Sequence, residues 1–109
     1  MSQDNYSINR GAYRRTLSNP SEIAASATIN LHPSQVDRER YAPFNRLIAE
    51  NQSNSDIGLI IDAEAQDTVL IQAGQTKIFQ DIKFSTVAVN NKNSTYAINA
   101  GEITLRFEA

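Results

Sequence analysis

The sequence predicts an all-β domain, a small antiparallel β-sandwich or barrel with an extended N-terminal arm. Between Phe44 and Phe107 the apolar residues fall in short alternating runs separated by Asn, Ser, Asp and Gly. Six or seven such strands at regular spacing favour a sandwich or barrel. Within that stretch one motif occurs twice. Phe44-Asn-Arg-Leu-Ile-Ala-Glu-Asn51-Gln-Ser-Asn-Ser55 lies without a gap over Phe84-Ser-Thr-Val-Ala-Val-Asn-Asn91-Lys-Asn-Ser-Thr95. Phe44 then matches Phe84, Leu47 matches Val87, Ala49 matches Val89, and Asn51 matches Asn91. Each copy reads as an aromatic-led strand, an Asn/Ser-rich turn and a second strand, beginning near Ile57 in the first and Tyr96 in the second. The start of the chain differs in kind: residues 1–19 are dominated by polar side chains and scatter their large apolar ones.

Taken in order, residues 1–19 have too little apolar surface to offset ordering, which costs roughly 1–2 kcal/mol per residue. They do carry Tyr6, Arg10, Tyr13, Arg14 and Arg15, residue types that anchor interfaces. Asn19-Pro20-Ser21-Glu22 has the pattern of a helix start. It competes with the alternation from Ser26 to Leu31, which favours a strand over 27–32. Ser34 can cap a short helix over 35–41, with Asp37, Arg38, Glu39 and Arg40 on a solvated face. Strands follow near 44–50 and 56–62, the latter with Ile57, Leu59 and Ile61 on one face. After the acidic connection 62–67 come a short strand over 68–72, a turn through Gly74 where positive φ is permitted, and a strand over 76–79. Gln80-Asp81 marks a break or bulge before the second copy, whose strands are expected over 82–90 and 95–99. Ile103, Leu105 and Phe107 alternate with Glu102, Thr104, Arg106 and Glu108 as a final strand with one buried face. The expected division is an arm at 1–26 and an antiparallel β domain at 27–109, with its core in 44–109.

Composition narrows the chemistry. The 109 residues suit one domain, and 40% hydrophobic with 20% charged residues is ordinary for a folded protein. Cysteine is absent and His32 is the single histidine, which argues against disulfides, thiol chemistry and a zinc site. The N-terminus lacks the basic and apolar regions of a signal peptide. The longest apolar runs, such as Leu59-Ile60-Ile61, are far short of a membrane span. His32, Ser34 and Asp37 are triad residue types, but no nucleophile elbow surrounds a serine. Asp56, Asp62, Glu64 and Asp67 cluster without the glycine of a calcium loop, so they read as a solvated connection. The expectation is therefore no enzyme, no cofactor and no metal.

Charge is divided along the chain. Residues 1–46 hold six Arg against four acids, a balance of +2, and residues 47–109 hold four basic groups against eight acids, a balance of −4. Basic arm and acidic domain of neighbouring copies would attract head to tail. An excess of two charges is too small to hold nucleic acid firmly.

Three segments carry a resemblance: Phe44 to Ser53, Val69 to Thr76, and Ala100 to Leu105. Together they resemble the strand-and-turn elements of small β-sandwich or β-barrel virion proteins of bacteriophages. That resemblance implies a structural role as a vertex (penton-type), decoration or connector subunit, located in the virion after assembly in the host cytoplasm. The partners implied are other copies of the chain and other capsid or connector proteins, with no small-molecule substrate. The alternative function is a ligand- or carbohydrate-recognition module, with Asn51, Ser53, Asn91 and Asn93 of the two turns as its contacts.

Overall fold

A computed structural model describes residues 13–62 and 68–109. Among them the chain forms β1 (Arg14–Ser18), β2 (Thr28–Asn30), α1 (Gln35–Tyr41), β3 (Phe44–Asn51), β4 (Ile57–Ile61), β5 (Val69–Ile71), β6 (Thr76–Phe84), β7 (Val87–Asn91) and β8 (Ile103–Glu108). The strands make two four-stranded sheets ordered β1-β8-β3-β6 and β2-β7-β4-β5. Every pairing is antiparallel. The all-β sandwich expected from alternation is thus the fold. Its order is that of a jelly roll, two sheets built from two Greek keys.

The order also contains an internal two-fold relation. Exchanging β1, β2, β3, β4 for β5, β6, β7, β8 converts one sheet into the other, read from its opposite edge. Phe44–Asn51 and Val87–Asn91 are equivalent under this exchange, which is why the sequence motif repeats. The second strand of the repeat is corrected by the fold. The counterpart of β4 is β8, beginning at Ile103 and not near Tyr96, because the second turn is longer. Residues 95–99 make no strand; Ile98 forms a single bridge to Ile23.

The core lies between the sheets. Phe44, Leu47, Ala49, Ile57, Leu59, Ile71, Val89, Ile103, Leu105 and Phe107 are all fully buried, and Phe84, Val87 and Ile98 nearly so. Phe44, Phe84 and Phe107 pack as a triangle, with ring centroids 5.5–6.0 Å apart. The β3–β6 register slips between Phe44 and Arg46, opposite Asp81 at φ 58°. This bulge lets Phe44 and Leu47, three positions apart, both face inward. The irregularity expected at Gln80–Asp81 is this bulge, and the strand continues through it to Phe84.

Two expectations change. The strand expected over 82–90 is divided by a corner at Ser85–Thr86, where the chain crosses between sheets. Asp62 caps that corner, its Oδ1 accepting from the N–H groups of Ser85 (2.8 Å) and Thr86 (3.0 Å). The arm boundary at residue 26 also moves. Arg14–Ser18 pairs along β8, Thr28–Asn30 pairs along β7, and Ile23 is fully buried. The folded unit therefore already includes Tyr13, and the remainder of the expected arm, with Tyr6 and Arg10, lies outside the described residues. No helix follows Asn19, whose side chain is drawn into the interior instead.

Candidate functional site

The two ends of the sandwich carry different chemistry. One end is built from buried amides. Asn51 closes β3 and Asn91 closes β7, both at most 1% exposed. Asn51 Nδ2 faces the carbonyls of Ser55 (2.8 Å), Ile71 (3.1 Å) and Gln72 (3.2 Å), and its Oδ1 accepts from the Ser53 N–H and hydroxyl. Asn91 repeats the pattern. Its Nδ2 faces the carbonyls of Ile23 (3.0 Å), Ala24 (3.2 Å) and Tyr96 (3.0 Å), and its Oδ1 accepts from Asn93 N–H (2.9 Å). Asn19 forms a third bracket, accepting from Ile103 N–H and donating to the carbonyls of Ser21 and Asn99. A chain that leaves one sheet for the other abandons its ladder bonds, and these amides supply the missing donors and acceptors.

The four turn residues expected as ligand contacts are brought together here, but three are buried. Asn51, Ser53 and Asn91 spend their polar atoms on their own backbone, and a saturated buried amide presents nothing to a ligand. Asn93 is half-buried, donating to Ser55 Oγ (3.2 Å) and accepting from the N–H groups of Thr95 and Tyr96. What the end does present is a groove of about 500 Å³ lined by Asn54, Ser55, Asn93, Tyr96, Asn99 and Glu102. Sequence reasoning passed over Tyr96, a lone aromatic in a polar turn; that isolation was the available signal.

Comparison with known proteins finds no matching family model, curated sequence or solved structure.

The opposite end fastens the chain before β1. Tyr13 stacks on Tyr41 (centroids 4.3 Å apart) and on Phe44 (5.6 Å), and its hydroxyl donates to Asp37 Oδ2 (3.0 Å). Asp37 is held in the first turn of α1, where its N–H donates to the Ser34 cap. Ser34 and Asp37 are thereby committed to the helix and to Tyr13, while His32 Nδ1 lies against the Val87 backbone. The three triad residue types therefore do not meet. Asp56 accepts from Ala73 N–H, whereas Glu64 and Asp67 lie outside the described residues.

Burial pushes the Tyr13 phenol up from 10.0 to about 12, reinforced by the bond to Asp37 and its negative charge and opposed by Arg15. A raised pKa means the fold favours the neutral phenol. Its contribution to stability is complete below pH 10 and is lost as pH rises to about 12. Phenolate absorbance should show the Tyr13 step near pH 12, and Asp37→Asn should move that step down toward 10 while burial keeps part of the shift.

Beside this fastening, Glu108 sits among three guanidinium groups: Arg106 at 3.1 Å, Arg46 at 3.4 Å and Arg14 at 3.9 Å. Three positive charges share one carboxylate, so the local balance is positive. Arg14 and Arg15, expected as interface contacts, are both exposed on edge strand β1.

Proposed function

We propose that the chain is a non-enzymatic structural subunit of a virus particle, of vertex, decoration or connector type, and that it assembles with neighbouring subunits through its N-terminal arm. The observation that carries this reading is the fastening at Tyr13. Ring stacking and the Asp37 bond hold Tyr13 at one point of the sandwich edge, directly before β1. The twelve residues before Tyr13 include Tyr6 and Arg10, residue types that anchor interfaces between subunits.

Several features favour such a neighbour. Strands β1, β6, β2 and β5 are sheet edges, whose open backbone groups accept an added strand. β6 is the longest of them, and Ile78 on it is half exposed. Arg14 and Arg15 stand beside Tyr13, where an acidic surface of another copy would meet them. Jelly rolls serve in capsids, lectins and cupins alike, so the fold permits this role without selecting it.

Light-scattering mass of the full chain and of a chain starting at Tyr13 tests the reading. The full chain is expected to form a defined oligomer, and the shortened chain a monomer with unchanged circular dichroism. Equal masses at all concentrations would remove the arm from assembly.

A further inference from the structure

The groove at the buried-amide end has a composition that the assembly role does not use. We propose that it is a binding site for a neutral saccharide, with Tyr96 as its stacking platform.

Tyr96 is 70% exposed, while Tyr13, Tyr41 and the phenylalanine rings at the opposite end pack against one another. Its ring does not hold the fold, yet its backbone is clamped. Its N–H donates to Asn93 Oδ1 (2.9 Å) and its carbonyl accepts from Asn91 Nδ2 (3.0 Å). The ring is therefore displayed on a fixed backbone, and a ligand meets it with little ordering cost. Around it, the side-chain amides of Asn54 and Asn99 and the Tyr96 hydroxyl make no hydrogen bond among the described residues. Among the described residues Glu102 uses only Oε1, which accepts from Asn99 N–H (3.0 Å).

These groups select a ligand class. Among the described residues no cation lines the groove and one carboxylate does, which disfavours phosphate and carboxylate ligands. Amides both donate and accept, as vicinal hydroxyls do, so Asn54 and Asn99 match a sugar edge. The apolar C–H face of a pyranose ring lies naturally on an aromatic ring. The volume of about 500 Å³ falls within the range of small-molecule sites, roughly 300–1,000 Å³. A cationic amine could meet Glu102 and the ring, but it would leave both amides unused.

The test is the full chain on an array of neutral oligosaccharides ending in galactose, mannose or N-acetylglucosamine, with positives titrated by calorimetry. Binding is expected for at least one neutral terminus. Tyr96→Ala should weaken it by about tenfold or more, a loss near 1.4 kcal/mol. Asn99→Ala should weaken it too, and Tyr96→Phe should retain most of it. Circular dichroism should be unchanged in all three, since the altered groups are outside the core. The site is overturned if no neutral sugar binds at millimolar concentration, if only cationic or anionic glycans bind, or if Tyr96→Ala binds as well as the parent.

Discussion

Asn91→Ala should cost about 3 kcal/mol of stability, out of the roughly 5–15 kcal/mol typical of a domain. The argument is a count of what loses its partner. The Ile23 carbonyl also accepts from Ile98 N–H, and the Ala24 carbonyl also accepts from Ala27 N–H, so both keep a bond. Among the described residues the Tyr96 carbonyl and the Asn93 N–H have no second partner; both are part-buried, so each lost bond costs about 0.5–1.5 kcal/mol, and the two lost bonds to the Ile23 and Ala24 carbonyls add a similar amount. Asn91→Asp should be worse, because it turns a carboxylate oxygen toward the three carbonyls that now receive the amide. Asn51→Ala is the equivalent change at the other corner and should cost a similar amount. Asn54→Ala, three residues further on and exposed, should stay within about 0.5 kcal/mol. Urea midpoints at constant slope measure all four. An Asn91→Ala midpoint no lower than that of Asn54→Ala would mean the corner does not depend on the amide.

These brackets also explain what was legible in the sequence. Alternation located the strands because each sheet has one buried face, so Ile57, Leu59 and Ile61, or Ile103, Leu105 and Phe107, had to be spaced by two. The duplicated motif was visible because both corners solve one problem, a strand end that must satisfy its backbone while crossing to the other sheet. The role of its asparagines was misjudged for a physical reason. Asn and Ser are as common in exposed binding turns as in bracketing ones, and composition does not reveal which way an amide points. The extent of the arm was equally hidden. Arg14 to Ser18 looks polar because β1 is an edge strand with little burial of its own, and its place is set by pairing with β8, ninety positions away in the chain. Asp62 likewise read as part of a solvated run, and only the fold brings it to the Ser85–Thr86 corner.

A chain beginning at Pro43 should fail to fold cooperatively, although most of the strong β signal lies beyond that point. Such a chain lacks β1 and β2, which are one outer strand of each sheet, and so loses the same element from both halves of the sandwich. Ile23 and Leu31 leave the core, worth roughly 4 kcal/mol together before any neighbour is uncovered. Loss of β1 and β2 also leaves the backbone edges of β8 and β7 unpaired. The brackets fail as well: Asn91 loses the Ile23 and Ala24 carbonyls, and Ile103 N–H loses the Asn19 oxygen. Set against a typical margin of 5–15 kcal/mol, these losses together leave no stable native state. A chain beginning at Tyr13 keeps every one of these contacts and should unfold in a single sharp transition. Comparing the two by urea titration separates arm from domain. If the Pro43 chain unfolded as sharply as the Tyr13 chain, the first two strands would be part of the arm after all, and the internal two-fold relation would not govern stability.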